Sequence, residues 1–252
     1  MIQQITSVQH PLVKQLVRLR DRRSERYSQQ LILIEGMNML KEICEEQPIT
    51  HLLTTDVSLL PVSLHTDSVI AVSESVMRKI SACETPNGAI AVVSMPAIEA
   101  DALFSIEPQR LVILDGIADP GNLGTILRTA GALGWDGVYC IDGCCDPFNP
   151  KAIRAAKGAT FRLPLALGDR ETLARYLSSY TVLTADLDGE DVSAYSHQQK
   201  VALVLSSEAH GVQEPFPDAR RITIQMHGEM ESLNVAAAGA ILMNALHGKI
   251  NG

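Results

Sequence analysis

Short apolar runs alternate with segments in which apolar residues recur every three or four positions. In the first hundred residues the runs predict strands at 31–35, 49–54, 68–72 and 89–93. The helical spacing predicts helices at 7–26 and 37–45, and a third that Ser73 opens. Strands that alternate with helices are typical of an α/β unit, which we predict over residues 1–95.

A second alternation of strands and helices follows residue 108. Residues 95–108 carry a proline near each end and lack strong periodicity, which predicts a linker over 96–108. After it the pattern predicts strands at 111–114, 137–141, 181–185, 201–205 and 222–226. Helices are predicted at 122–134, 150–157, 170–179 and 232–247. The chain is therefore predicted to hold two α/β domains, the second spanning 109–252.

Composition narrows the class of protein. Of the 252 residues, 46% are hydrophobic, which excludes disorder for the chain as a whole. The five cysteines include no C-x-x-C pair, so reduced thiols are favoured over a redox or metal role for Cys144–Cys145, and no metal is predicted. The N-terminus lacks the apolar core of a signal peptide, and no apolar run reaches the roughly 18 residues of a membrane span. These features predict a cytoplasmic protein.

The formal net charge of −8 argues at first against a nucleic-acid partner. The charge is unevenly distributed, however, because residues 10–26 alone carry a net charge of +4 and the rest must then carry −12. A second group, Lys151, Arg154, Lys157 and Arg162, contains no acidic residue. Phosphate contacts need only local positive charge, so the sequence predicts an acidic body with two basic faces.

Three strand-to-helix junctions carry candidate chemistry. In the first, residues 111–134, Asn122 is a plausible helix cap, and Arg128 lies among small residues either as a salt-bridged packing residue or as a functional group. In the second, an apolar strand runs into Ser206 and then Glu208, a carboxylate placed to act at the end of a parallel strand or to cap a neighbouring helix.

The third junction opens the last helix. Ser232 is a candidate cap, and the small residues from 236 to 239 indicate a helix packed close to another backbone. None of the three junctions matches the G-x-G-x-x-G or P-loop spacing, which weakens the hypothesis of a generic nucleotide-binding α/β protein.

Taken together, the junctions resemble the three motifs of the SpoU/TrmH family of RNA 2′-O-ribose methyltransferases, in the SPOUT superfamily. The resemblance covers residues 110–247, and residues 1–95 resemble, less specifically, an L30e-like substrate-binding domain. The matching positions of the three motifs are Asn122, Gly124, Arg128, Thr129, Ala130 and Gly134; Ser207, Glu208 and Gly211; and Ser232, Leu233, Asn234 and Val235. Asn149, Pro150, Lys151, Arg154 and Gly158 resemble the family's middle segment.

The resemblance implies a trefoil-knotted α/β methyltransferase domain behind the smaller N-terminal domain, and a homodimer formed through the knotted domain. It implies S-adenosylmethionine as the methyl donor and RNA, most simply ribosomal RNA, as the acceptor. The cofactor-binding positions that it implies are Ser206, Gly211, Ile224, Met226 and Leu233. The RNA-binding positions that we predict are Lys14, Arg18, Arg22, Arg23, Lys151 and Arg154.

The resemblance also implies that Arg128 activates the ribose hydroxyl, with Asn122, Glu208, Ser232 and Asn234 around it. A free guanidinium has a pKa of about 12.5–13.8 and is a poor base at neutral pH. Either an RNA phosphate orients a transiently neutral guanidine, or the cation stabilises the developing alkoxide; the sequence leaves both open.

Two positions depart from the family pattern. Ser206 and Ala209 stand where the second motif usually has glycine, and a side chain at Ser206 could crowd the cofactor or alter the backbone angles. Two alternatives therefore stand beside rRNA methylation: a tRNA methyltransferase, and an RNA-binding ribosome assembly factor with impaired catalysis.

Overall fold

The computed structural model describes residues 2–43, 47–60, 66, 68–207, 216–226, 228 and 232–247. Within it the chain forms two compact units, one of Met1–Pro96 with Phe148–Phe161 and the other of Ala97–Pro147 with Arg162–Gly252.

The α-helices of the described residues are α1 (Pro11–Asp21), α2 (Arg23–Gln29), α3 (Met37–Ile43), α4 (Glu74–Ile80), α5 (Ala100–Phe104), α6 (Pro120–Ala132), α7 (Pro150–Ala156), α8 (Ala159–Arg162), α9 (Arg170–Ala174) and α10 (Val235–Leu246). The strands are β1 (Gln3–Ile5), β2 (Leu31–Glu35), β3 (Ile49–Thr54), β4 (Val69–Val72), β5 (Ala89–Ser94), β6 (Arg110–Asp115), β7 (Gly137–Ile141), β8 (Leu165–Gly168), β9 (Thr181–Asp191), β10 (Val201–Ser206) and β11 (Arg220–Thr223).

The first unit is built on a mixed five-stranded sheet in the order β1-β4-β3-β5-β2. Helix α1 buries Val13, Leu16 and Leu19, which recur at helical spacing, against this sheet's core. The single helix predicted over 7–26 is wrong, because the chain adopts an extended conformation at Arg22 and continues as α2. Strand β1 was not predicted, since three residues are too few to show a period.

The segment 148–161 packs with the first unit although it lies in the second half of the sequence. Helix α7 contacts β2, and the ring of Phe148 meets that of Tyr27 edge-on at 6.3 Å between centroids. The family's middle segment is therefore structurally part of the N-terminal unit.

The second unit is built on a six-stranded, fully parallel sheet in the order β11-β9-β10-β6-β7-β8. The inner residues of its central strands, 111–114 and 201–205, are all apolar, as is usual where helices cover both faces of a parallel sheet. Helix α5 lies within the segment 96–108 that we predicted as a linker, and it buries Leu103; the sequence analysis did not predict this helix. Strand β8 was also missed, and four residues give a weak pattern.

Two predicted helix caps are wrong. Helix α6 begins at Pro120, and Asp119 rather than Asn122 caps it by accepting a hydrogen bond from the Asn122 backbone N–H at 2.8 Å. Helix α10 begins at Val235, and its cap is Asn234 rather than Ser232. The last strand also ends earlier than predicted, at residue 223 rather than 226.

The small residues of α10 permit a close approach, although at Gly239 the neighbour is a side chain and not the other backbone that the sequence predicted. A Cβ atom on Gly239 would lie 2.7 Å from Cδ1 of Leu205, so α10 packs directly on β10 there. At the far end of the same helix, the indole Nε1–H of Trp135 donates to the Met243 carbonyl at 3.3 Å. These contacts seat α10 against the centre of the parallel sheet.

No described helix is long and apolar enough to cross a membrane. The described residues also contain no group of three or more His, Cys, Asp or Glu side chains arranged for a metal ion. Cys83, Cys140, Cys144 and Cys145 are thiols, and Cys44 lies outside the described residues.

Candidate functional site

The site lies where the strand order of the parallel sheet reverses. From β6 the chain builds β7 and β8 on one side, then returns to build β9 and β10 on the other, so that β6 and β10 are neighbours. Ligands of open parallel sheets bind in the crevice at the carboxyl ends of such strands. Those ends are Asp115 and Ser206, which pair in register. The first two motifs therefore meet at this edge.

The first and third motifs meet through two asparagines. The side-chain Nδ2 of Asn234 donates to Oδ1 of Asn122 at 3.1 Å. The Oδ1 of Asn234 accepts from the backbone N–H groups of Ala236 and Ala237, at 3.0 and 3.4 Å. Asn234 therefore caps α10 and ties its first turn to the first turn of α6, which joins two residues far apart in sequence.

We expect Asn234→Ala and Asn122→Ala to separate these two roles. Asn234→Ala removes a helix cap and should lower the free energy of unfolding by about 1 kcal/mol, whereas Asn122→Ala leaves α10 capped and should change stability by under about 0.5 kcal/mol. Urea unfolding followed by circular dichroism measures both. Equal losses of stability in the two variants would contradict the assignment of the cap to Asn234.

A cavity of about 240 Å³ opens beside this edge, between the middle of β9, the ends of β10 and β11, and α10. Four of the five predicted cofactor-binding residues line it, namely Ser206, Ile224, Met226 and Leu233; the fifth, Gly211, lies outside the described residues. Ser232, predicted as catalytic, lines the same cavity. Mostly apolar walls with a few polar groups at the rim are typical of a small-molecule site.

Ser206 fits at its position without backbone strain. It is the last residue of β10 and pairs with Asp115 in the regular parallel ladder, so its conformation is extended and open to any residue. Compared with glycine, the serine therefore only reduces the space in the cavity by the volume of its hydroxymethyl group. Ala209, the other departure, lies outside the described residues.

The sequence reading missed the wall that β9 contributes. Strand β9 runs to Asp191, six residues beyond its predicted end, and brings Asp186 and Leu187 to the cavity. The Oγ1–H of Thr223 on β11 donates to the Leu187 carbonyl at 3.2 Å and holds the two strands together there. The predicted strand stopped at residue 185. The carboxylate of Asp186 directly after this apolar strand was the available indication of a site residue.

The remaining predicted catalytic residues divide by position. Arg128 is exposed on α6, six residues beyond Asn122 on the same helix. Glu208 lies outside the described residues. The structure thus brings Asn122, Ser232 and Asn234 to one edge of the second unit.

The vicinal cysteines support the loop before α6. The Cys145 backbone N–H donates to the Ile117 carbonyl at 2.9 Å, and the Cys144 thiol donates to the Leu114 carbonyl at 3.3 Å. Burial, followed by the nearby Cys144 and carboxylates, raises the pKa of the Cys145 thiol to about 12. At that pKa the thiolate is scarce at neutral pH, which disfavours nucleophilic chemistry at Cys145.

The predicted RNA-binding residues lie in the first unit. Lys14, Arg18, Arg22, Arg23 and Lys151 are exposed. Arg154 is half-buried, and its Nη1 is buried without a hydrogen-bond partner beside a small cavity that Glu35 also lines.

Two further arginines of the basic segment stabilise the first unit through hydrogen bonds to backbone carbonyls. Arg20 donates from Nη1 to the carbonyls of Lys79 and Ser81, and buried Arg26 donates to those of Leu19 and Arg20.

Two family models match separate parts of the chain. Residues 109–244 match the SpoU rRNA Methylase family, and residues 10–91 match the MRM3-like substrate binding domain. The 23S rRNA (guanosine(2553)-2′-O)-methyltransferase of Bacillus subtilis is 30% identical over 98% of this chain and 100% of its own length.

Two solved structures are similar over almost the whole chain. An S-adenosylmethionine-bound rRNA methyltransferase from Sinorhizobium meliloti has a TM-score of 0.85 at 26% identity and covers 97% of each chain. The cofactor complex of the SpoU methyltransferase AviRb from Streptomyces viridochromogenes has a TM-score of 0.85 at 25% identity, covering 97% of this chain and 100% of its own.

Proposed function

The chain belongs to the SpoU rRNA methylase family, and from this premise we propose how its residues act. It is an S-adenosylmethionine-dependent methyltransferase that modifies ribose 2′-hydroxyls of ribosomal RNA. The observation that carries the proposal is the hydrogen bond between Asn122 and Asn234 beside the cavity that Ser232 lines. It brings residues of the first and third motifs to one edge of the sheet.

The cavity has the chemistry that the cofactor needs. Apolar side chains such as Ile222 and Leu233 suit an adenine ring, and the carboxylate of Asp186 suits ribose hydroxyls at the rim. When bound, the cofactor supplies an already activated methyl group on a sulfonium centre. The residues of the chain therefore have to position the acceptor ribose and help its hydroxyl to lose a proton.

We assign that second task to Arg128, with Asn122, Glu208, Ser232 and Asn234 as its surroundings. The exposed position of Arg128 on α6 supports the assignment, because RNA can reach it. With the cofactor bound as methyl donor, Arg128 would act at the ribose 2′-oxygen, either as a neutral guanidine that takes up the hydroxyl proton or as a cation that stabilises the alkoxide once the proton has passed to water.

We further infer the knotted topology and the homodimer that the family resemblance implied, and the cytoplasmic location that the sequence predicted. The small-residue surfaces of α6 and α10 support a dimer formed through the second unit, since Ala132 and Ala237 are exposed and Ile241 leaves 44% of its surface uncovered. Thiols at the four described cysteines agree with a reducing compartment. We also assign residues 1–95 to RNA binding, 96–108 to the connection and 109–252 to catalysis.

The RNA-binding surface that we propose lies in the first unit, which holds the N-terminal basic segment together with Lys151 and Arg154. The guanidinium of Arg23 lies 5.0 Å from the ring centroid of Tyr27, and the same ring meets Phe148, three residues before Lys151. Arg18 and Arg22 extend the positive charge along the segment of α1 and α2. Arg154 contributes less, because its guanidinium is partly buried.

We expect Arg22→Glu combined with Arg23→Glu to weaken rRNA binding by at least about tenfold at moderate salt, and to flatten the dependence of log Kd on log salt concentration by about two units. Filter binding across a salt series measures both. The matched control is Glu171→Arg with Arg175→Glu, which reverses an exposed pair on the other unit. An unchanged salt slope would remove this surface from RNA binding.

Incubation with labelled S-adenosylmethionine and unmodified rRNA or tRNA tests the function itself. We expect label in 23S rRNA, at a ribose that resists alkaline cleavage. Label in tRNA alone would show that the substrate is tRNA and would overturn the assignment to rRNA. A folded protein that binds the cofactor but labels neither RNA would overturn catalysis and favour the assembly factor.

A further inference from the structure

An ion pair involves Asp115, the register partner of Ser206, which lines the cavity. The guanidinium of Arg170, the first residue of α9, pairs with the carboxylate of Asp115, the last residue of β6. The side chains retain only 22% and 17% of their exposed surface. The same guanidinium lies 4.4 Å from the ring centroid of Phe216, which is buried. One arginine thus contacts a carboxylate and an aromatic ring from two other parts of the chain.

Arg170 is itself held from the core of the sheet. The Tyr139 hydroxyl on β7 donates to the Asp169 carbonyl at 3.0 Å, and Oδ1 of Asp169 caps α9 through the Thr172 N–H at 2.6 Å. Gly168 has no room for a Cβ atom because the Tyr139 hydroxyl occupies that space. The backbone that carries Arg170 is therefore anchored to a fully buried tyrosine.

Asp115 and Arg170 contact the described residues on both sides of the segment 208–215, the connection that follows β10. Ser206 pairs with Asp115 in register, and the Ser207 N–H donates to the Asp115 carbonyl at 3.3 Å. Ser206 and Ser207 line the cavity. The other end of the same connection is Phe216, under the guanidinium of Arg170. The backbone of Asp115 thus holds Ser207, its side chain binds Arg170, and the guanidinium of Arg170 contacts Phe216.

We propose that Asp115 and Arg170 are positioning residues for the cofactor, which fix the backbone of Ser206 and Ser207 at the cavity wall and Phe216 at the far end of the connection. This inference rests on the proposed function. Neither residue touches the reacting atoms. Their effect is to remove conformational freedom from a wall that the cofactor would otherwise have to order on binding.

The choice of arginine supports a positioning role. Only a planar guanidinium can bond a carboxylate and stack on an aromatic ring together, whereas a lysine ammonium would keep the charge but lose the stacking geometry. Arg170→Lys therefore preserves the ion pair and removes the link to Phe216. Asp115→Asn removes the ion pair, because the amide has the shape of the carboxylate without its charge, and it keeps the contact between Arg170 and Phe216.

Isothermal titration with S-adenosylmethionine in the absence of RNA tests the proposal on the full chain. We expect Arg170→Lys and Asp115→Asn each to raise the Kd by at least about fivefold, and the double variant to lose less than the product of the two, as coupled neighbours do. Transfer at saturating cofactor should change less than the KM for the cofactor. Phe216→Leu, which keeps an apolar side chain, should raise the Kd as well.

The control is Arg175→Lys, which alters an exposed arginine paired with Glu171 at the end of the same helix and should leave the Kd unchanged. Thermal unfolding of each variant separates stability from affinity. A lowered melting temperature with an unchanged Kd would make the pair merely structural and overturn the proposal, as would unchanged values of both. Absence of cofactor binding by the unaltered protein would instead overturn the proposed function, and this inference with it.

Discussion

Arg128→Ala is expected to reduce methyl transfer by at least about a thousandfold, the upper part of the range for loss of a group that handles a proton. The side chain is exposed on α6, so its truncation leaves the core of the second unit intact. Single-turnover transfer of a labelled methyl group to rRNA measures the effect. Cofactor affinity and the solution mass of the protein should stay at their unaltered values.

Arg128→Lys distinguishes the two ways in which the guanidinium can act. Lysine keeps a positive charge, so retained activity would indicate a cation that stabilises the developing alkoxide. Activity as low as that of the alanine variant would favour a guanidine oriented by the RNA. Arg175→Ala, an exposed arginine of the same unit, is the control. Unchanged transfer in Arg128→Ala would remove this residue from the mechanism.

The second large effect is expected from filling the cavity. Ala238 on α10 lines it, so Ala238→Phe should place a ring in the space that we assign to the cofactor and raise the Kd for S-adenosylmethionine by about a hundredfold or more. The helix should persist, because phenylalanine costs only about half a kcal/mol of helix propensity relative to alanine.

Ala174→Phe is the matched control, since Ala174 is exposed at the end of α9 in the same unit. Titration calorimetry gives the affinity of both variants, and circular dichroism confirms that they fold. Normal cofactor binding by Ala238→Phe would move the cofactor site elsewhere.

The sequence offers candidate site residues where polar side chains interrupt an apolar pattern, and their roles stay a prediction. Asn122, Ser206, Ser232 and Asn234 stand out because polar residues follow apolar strands or open a helix, and the structure brings them to one edge. It failed where geometry depends on tertiary contacts. The caps at Asp119 and Asn234 lie next to equally good capping residues, and only the packing of each helix chooses between them.

The part of the cavity wall that β9 forms could not be predicted from the sequence for a similar reason. Its second half is polar and exposed, so no hydrophobic period marks it as a strand. It is a strand because β11 pairs with it, with an irregularity in register between Arg221 and Ile222. Asp186 therefore reaches the cavity through a pairing that no local pattern encodes. The Asp115–Arg170 pair, separated by more than fifty residues, was hidden in the same way.

The place of residues 148–161 has a consequence for how the molecule loses its structure. Because these residues pack with the first unit while their neighbours on both sides belong to the second, the chain passes between the units three times. Melting the first unit would strip Phe148 and Ile153 of their buried surroundings and release a long loop in the second. We therefore expect a single cooperative calorimetric transition, in which neither half survives the unfolding of the other.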